Sequence, residues 1–125
     1  MSNTNPLTLQ PRQESTIMDI TSVEVGTNES VVHIQSNMGE YGKVYSTARF
    51  SYNPDRLSGT YTGQGRGIID ENTMLSGFGM GIWKREGSKI YMEELVSVSD
   101  GTQNLGRAVW DLRENTIAYD AYIIR

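Results

Sequence analysis

The fold is decided by two glycine runs, Gly-Gln-Gly-Arg-Gly-Ile-Ile at residues 63–69 and Gly-Phe-Gly-Met-Gly-Ile-Trp at residues 77–83. Glycine stands at every second position of both runs, and side chains of a β-strand alternate between the two faces of a sheet with this same period. Each run is therefore predicted to be a strand with one face almost bare of side chains. Glycine within a strand typically marks close approach by a ligand, a backbone or a large facing side chain. The two runs indicate where the molecule makes room for another group.

The same period of two recurs along the rest of the chain, and no stretch keeps apolar residues at helical spacing for more than about two turns. Short turn sequences separate the repeats. The predicted strands cover residues 16–25, 31–36, 43–52, 57–69, 73–85, 89–99, 102–113 and 116–124. Closing such a meander removes its exposed edges. We therefore predict an all-β fold, a single antiparallel up-and-down β-barrel of about eight strands, with an open sandwich as the alternative.

Composition limits the class of protein. The 125 residues carry 11 basic and 15 acidic side chains, a net charge of −4 that argues against a nucleic-acid partner. No apolar run approaches the roughly 18 residues of a membrane span, so no membrane partner is expected. Residues 1–15 are polar and lack a signal-peptide pattern. We expect a disordered N-terminal tail at residues 1–15, a barrel domain at residues 16–125 and a cytoplasmic location.

Several common sites are excluded by residue type. The chain has no cysteine and one histidine, His33, which is expected on the outer surface. This removes thiolate and His-rich metal sites and leaves little scope for a Ser-His-Asp triad. The glycine runs are not a dinucleotide fingerprint, because Ile68 stands where a further glycine is needed and no helix follows. We expect no metal and no cofactor.

The turns set the register, and the register decides which residues share a face. A two-residue turn at Asp100-Gly101 sets Glu94 opposite Arg107, and an even-length loop within residues 70–73 sets Gly63 opposite Met80. Of the two resulting faces, one carries a single charged residue. That face is predicted to be the interior, because burying unpaired charge costs several kcal/mol.

The single interior charge on this register is Glu93, and Tyr91 lies on the same face. A carboxyl in apolar surroundings has a raised pKa, which suits acid–base chemistry. Glu93 and Tyr91 are therefore the candidate catalytic residues, although a carboxylate at the barrel mouth that reaches water is the alternative. Asp19 is a second candidate acid if its strand turns that face inward. The predicted substrate-binding residues are Phe50, Tyr61, Gly63, Gly65, Phe78, Met80, Trp110 and Tyr119.

The predicted outer wall combines charge pairing with an apolar band. Glu94 and Arg107 form a cross-strand pair there, of the kind that contributes under about 1 kcal/mol when exposed. A contiguous apolar band on an outer wall suggests a subunit interface, so a homo-oligomer is expected. The band consists of Trp83, Ile90, Met92, Val96, Val98, Val109, Tyr122 and Ile124.

The strand end Gly-Ile-Trp-Lys-Arg-Glu-Gly at residues 81–87, together with eight short-looped strands and an aromatic interior, resembles the small ligand barrels of the calycin and allene-oxide-cyclase-like kind. The resemblance covers residues 16–124 in architecture. It implies a cofactor-independent cyclase or isomerase that binds an apolar, natural-product-like small molecule in the barrel. Two alternatives remain open: a non-catalytic carrier or sensor of such a ligand, and a structural homo-oligomer whose glycines serve packing alone.

Overall fold

The computed structural model describes residues 6–125, which form a closed barrel of eight antiparallel strands in up-and-down order. The strands are β1 (Thr16–Glu24), β2 (Glu29–Asn37), β3 (Lys43–Tyr52), β4 (Ser58–Asp70), β5 (Thr73–Glu86), β6 (Lys89–Val98), β7 (Gln103–Asp111) and β8 (Thr116–Ile123). A 3-10 helix at Gly39–Tyr41 lies between β2 and β3. Each strand pairs with its sequence neighbours, and β1 pairs with β8 to close the barrel. The predicted all-β barrel is confirmed.

An aromatic cluster fills the middle of the barrel. The Phe50 ring packs edge-to-face against Trp110, Tyr61 and Trp83, with ring centroids 4.8, 5.2 and 5.8 Å away. Such pairs contribute about 0.5–1.5 kcal/mol each beyond the area they bury. Small neighbours such as Ala48, which is fully buried, leave room for these large rings. The cluster separates two cavities at opposite ends of the barrel interior.

The connection between β4 and β5 decides which face of β5 is buried. Its turn consists of residues 71–72, the even length that was predicted. A β-bulge at Ile69 then shifts the ladder by one residue, so that Gly63 pairs with Gly79 and not with Met80. Because a one-residue shift exchanges the two faces of a strand, the predicted facing of β5 and β6 is wrong.

Both glycine runs therefore face the interior, opposite one another. The alternate residues of the second run, Phe78, Met80 and Ile82, lie on the outer wall and are 51%, 56% and 63% exposed. Tyr91 and Glu93 follow the same parity and also lie on the outer wall. The predicted outer band loses its first members, because the structure buries Trp83, Ile90 and Met92 in the core.

The β6–β7 connection shifts the ladder a second time. A two-residue turn would set Glu94 opposite Arg107, but the loop spans residues 99–101 and ends on Gly101 at φ +94°, so Glu94 pairs with Gly106. Three-residue loops that end on a left-handed residue are a common hairpin connection. The predicted Glu94–Arg107 pair is therefore wrong. The two one-residue shifts cancel, which confirms the interior placement of Ala108, Trp110, Ile117, Tyr119 and Ala121.

The sequence also predicts a four-residue loop at residues 53–56 and a two-residue turn at residues 114–115, but the ladders beside both connections are displaced by two residues from the register that these turns would set. Phe50 pairs with Tyr61 and not with Gly59, and Trp110 pairs with Ile117 and not with Tyr119. A shift of two residues moves the partners along the ladder but leaves each side chain on its face. The interior faces of β3, β4, β7 and β8 are consequently those predicted.

Part of the predicted N-terminal tail is attached to the barrel. Residues 1–5 lie outside the described residues. The Arg12 amide donates to the Ala121 carbonyl, and the Ile123 amide donates to the Gln10 carbonyl, both at 2.8 Å. Residues 10–12 therefore extend the sheet beside β8. Within residues 6–125, no helix is long and apolar enough to cross a membrane.

Candidate functional site

The first cavity has a volume of about 120 Å³ and opens at the barrel end that carries the β2–β3, β4–β5 and β6–β7 connections. The facing glycine runs form much of one wall. Apolar side chains, among them Met18, Ile34 and Val44, line the rest. In the part of the chain that the structure describes, one carboxyl group, that of Glu94, borders this cavity. The cavity is therefore mainly apolar and contains a single acid.

Glu94 is buried at 8% exposure between Gly79 on β5 and Gly106 on β7. Its Oε1 accepts a hydrogen bond of 2.7 Å from the Tyr119 hydroxyl. Its Oε2 is also buried and has no hydrogen-bond partner in the described part of the chain. A buried acceptor without a partner costs free energy, so a donor that reached this oxygen would stabilise it.

Burial raises the pKa of Glu94 from 4.5 to about 7, and the hydroxyls of Tyr119 and Tyr61 oppose part of this rise. Burial, followed by the nearby Glu94 charge, raises the pKa of both tyrosines well above 10. Near neutral pH the carboxyl group can therefore exchange a proton, whereas both phenols remain donors. The expectation of one interior acid with a raised pKa is met by Glu94 instead of Glu93.

Two glycines provide the space that Glu94 and Tyr119 occupy. A Cβ atom added at Gly106 would overlap the Tyr119 hydroxyl, and one added at Gly79 would lie 3.0 Å from Glu94 Oε2. Both positions therefore need glycine because the polar end of a side chain lies directly above them. The gaps are partly filled by the protein's own polar groups.

Gly63 and Gly77 lie on the same wall of the first cavity, but the gap at Gly63 is filled and the gap at Gly77 is open. A Cβ atom at Gly63 would lie 2.6 Å from the Tyr61 hydroxyl, so this gap also holds a phenol. At Gly77 the nearest atom is the Ser97 carbonyl oxygen, 3.9 Å away. Gly77 therefore borders open cavity, where a ligand can lie.

A hydrogen-bonded network forms part of the rim of the first cavity. Asn104, which is 3% exposed, donates from Nδ2 to the Tyr41 hydroxyl at 2.9 Å and accepts from Arg12 Nε at 2.8 Å. The Tyr41 hydroxyl also lies 2.8 Å from Thr102 Oγ1. The network joins the N-terminal segment, the 3-10 helix and β7, and it gives the buried amide both kinds of partner.

The side chains of the predicted catalytic pair, Tyr91 and Glu93, do not face the interior of the barrel. Tyr91 is 41% exposed, and Glu93 faces the outer wall opposite Arg107. The basis for their catalytic role, an interior position, is therefore absent. The other predicted acid, Asp19, is exposed because Met18 takes the inward position on β1.

The predicted binding residues are divided by the structure. Phe78 and Met80 both lie on the outer wall of β5, so their predicted interior placement is wrong, although Phe78 also borders the first cavity. Six of the predicted residues have the interior placement that was expected. Of these, Tyr61, Gly63, Gly65 and Tyr119 border the first cavity, Phe50 borders the second, and Trp110 borders both.

Glu94 was missed because the loops were assumed to be free of bulges. A signal for it was present on β6, where Ile90, Met92 and Val96 share its face and Lys89 and Glu93 do not. The more apolar of the two faces of this strand is therefore the one that contains Glu94. Judging β6 by its own composition would have found the interior acid without the register of the turns.

Replacing Gly106 should displace the tyrosine that holds Glu94. We expect Gly106→Ala to lower the free energy of unfolding by about 1–3 kcal/mol, because the added Cβ overlaps the Tyr119 hydroxyl. Gly77→Ala is the matched control, since its Cβ enters open space and restricts the unfolded chain, a change worth about +0.4–1 kcal/mol. Urea unfolding at pH 6 measures both. Equal losses would contradict the assigned packing.

The buried carboxyl should make stability fall as pH rises. The folded pKa of Glu94, about 7, exceeds the unfolded value of 4.5, so the folded state binds more protons between these values. Glu94→Gln removes this dependence. The free energy of unfolding of Glu94→Gln, minus that of the native chain, should therefore increase between pH 5 and pH 8. We expect an increase of a few kcal/mol at most, because one pKa unit corresponds to about 1.4 kcal/mol.

Glu93→Gln serves as the control for this titration, because it makes the same chemical change one residue away on the outer wall. Chemical unfolding at several pH values provides the comparison. A pH-dependent difference for Glu93→Gln, with none for Glu94→Gln, would reverse the assignment of the two carboxyls.

No protein-family model, curated protein or solved structure matches this chain. The closed eight-stranded barrel has the architecture of calycin-like barrels. This architecture is the part of the resemblance that the structure supports. Within residues 6–125, no three His, Asp or Glu side chains cluster so as to hold a metal ion.

Proposed function

We propose that the chain is a cofactor-independent cyclase or isomerase that acts on an apolar small molecule in the first cavity. The observation that carries the proposal is the Glu94 carboxyl, which has a pKa of about 7 and an oxygen without a partner inside an apolar cavity. A general acid or base works best when its pKa lies near the ambient pH. Glu94 meets this condition without a metal or a cofactor.

The neighbouring residues supply orientation. Tyr119 holds the carboxyl through Oε1, which leaves Oε2 to exchange a proton with the substrate. The Tyr61 hydroxyl donates to a polar group of the substrate, and the apolar walls restrict its conformations. An isomerisation needs nothing more, because the proton that leaves one substrate atom returns to another and no electrons are gained or lost.

A carrier or sensor of the same ligand uses the same cavity without turnover. The third possibility, glycines that serve packing alone, is favoured at three positions, where Tyr61, Tyr119 and Glu94 occupy the gaps. The open space at Gly77 favours ligand binding over packing alone. Binding and turnover are separated by the experiments below.

Native mass spectrometry of the purified protein should detect a bound small molecule. We expect Gly77→Leu to abolish the added mass, because the larger side chain extends into open cavity. Ser97→Leu adds the same side chain to an exposed position of the adjoining strand and should leave binding intact. Loss of the ligand from both variants, or from neither, would contradict binding in the first cavity.

The ligand identified in this way then tests catalysis. On incubation with fresh ligand, the native protein and Glu93→Gln should convert it to an isomer of the same mass. Glu94→Gln should bind it with similar affinity but convert it at least 100-fold more slowly, the contribution typical of general acid–base catalysis. If the native protein binds the ligand without converting it, the chain is a carrier and the proposal that it is an enzyme is overturned.

We also propose a homo-oligomer, with an interface different from the band predicted from sequence. Phe78, Met80 and Ile82 are exposed on β5, and Leu95 pairs with Met80 on β6 at 57% exposure. These side chains form an apolar patch on a regular sheet face, and Glu93, which pairs with Ile82, lies at its border. A second copy of the same patch fits it, because two-fold interfaces join like surfaces.

Light scattering after size-exclusion chromatography tests this interface. We expect a mass of two or more 14.0 kDa subunits for the native chain and of one subunit for Met80→Lys, because an unpaired lysine in an apolar interface is costly. Met74→Lys, an exposed methionine near the β4–β5 turn, is the control and should remain oligomeric. A monomeric native chain would refute the proposal.

A further inference from the structure

The second cavity lies at the barrel end opposite Glu94 and is the larger of the two, with a volume of about 320 Å³. Its walls are mainly apolar and come from both sides of the barrel. Val32, Phe50, Ile90 and Leu112 are among them. The volume falls at the lower end of the range of cavities that bind small molecules.

Among residues 6–125, the charged groups that border this cavity are two arginines, Arg56 and Arg85, and none is a carboxylate. Arg85 follows Trp83 by two residues on β5 and therefore shares its inward face at the mouth. Arg56 belongs to the β3–β4 loop. The Arg85 amide donates to the Leu57 carbonyl at 2.7 Å, which joins that loop to the same rim.

Protein contacts hold both guanidinium groups without neutralising them. Arg56 Nη2 donates to the Thr27 carbonyl at 2.8 Å, and its guanidinium lies 4.7 Å from the centre of the Tyr52 ring. Arg85 Nη1 donates to the Gly87 carbonyl at 3.2 Å. Among the described residues, no carboxylate forms an ion pair with either arginine. Because a guanidinium has five N–H donors, most of these donors remain free for an anion.

We propose that the second cavity is a separate binding site for an amphipathic carboxylate, whose apolar body lies against the walls and whose carboxylate is held at the rim by Arg56 and Arg85. Guanidinium groups match carboxylates in charge and in planar donor geometry. The apolar body supplies most of the affinity through the surface it removes from water. The site is independent of the proposed reaction at Glu94, because the aromatic cluster lies between the two cavities.

Decanoate, used below its micelle concentration, is the probe for this site. Both tryptophans of the chain, Trp83 and Trp110, border the cavity, so their fluorescence reports binding directly. We expect decanoate to bind at least fivefold more tightly than decanol, and its affinity alone to fall as salt is raised. Equal affinities for the acid and the alcohol would overturn the role of the arginines.

Substitutions locate the carboxylate. Arg85→Gln and Arg56→Gln should each weaken decanoate binding about fivefold, a modest loss because the rim is exposed to water, and leave decanol binding unchanged. Lys84→Gln is the matched control, since it removes the same charge from the adjacent outward position of β5. If Lys84→Gln weakened decanoate binding equally, the arginines would act only through long-range charge attraction, and the proposed site would be refuted.

The two cavities are distinguished by a further pair of variants. Decanoate binding should persist in Gly77→Leu and Glu94→Gln, which alter only the first cavity. Loss of decanoate binding in Gly77→Leu would place the probe in the first cavity and overturn the proposal. The proposed reaction at Glu94 does not depend on either result, because its own test uses a different ligand and different variants.

Discussion

The structure depends on the pairing of one glycine run with the other. After the bulge at Ile69, Gly63 pairs with Gly79 and Gly65 pairs with Gly77, so a stretch of β4 and β5 presents backbone alone to the interior. A pair of adjacent strands without side chains would leave a void in a close-packed interior. This void is partly filled from across the barrel by polar ends of side chains, and the remainder is the first cavity.

The contents of that space explain why an acid is retained there. The Glu94 carboxyl lies among aromatic and apolar groups with one oxygen bonded to Tyr119 and the other without a partner. Such an arrangement lowers stability when the group is ionised, and packing alone offers no reason for it. Proteins depart from good packing chiefly at functional sites, and the barrel departs from it at this carboxyl.

The aromatic cluster gives the two ends of the barrel different chemistry. On one side a carboxyl with tunable charge borders a small cavity, and on the other two arginines border a larger one. Phe50 contacts three other rings of the cluster, so the cavities share rigid walls. The two cavities therefore present different ionisable groups, a buried carboxyl at one end and two guanidinium groups at the other.

The sequence by itself determined the barrel, its strands and the presence of one interior acid near tyrosines, because alternation of side chains and turn residues are local properties of the chain. Tertiary structure alone decided that the acid is Glu94 and not Glu93. That choice depends on a single bulged residue at Ile69 and on the length of the loop at residues 99–101. Both are set by how the closed ladder satisfies its hydrogen bonds across all eight strands, and a one-residue difference there exchanges the inside of β5 and β6 with the outside.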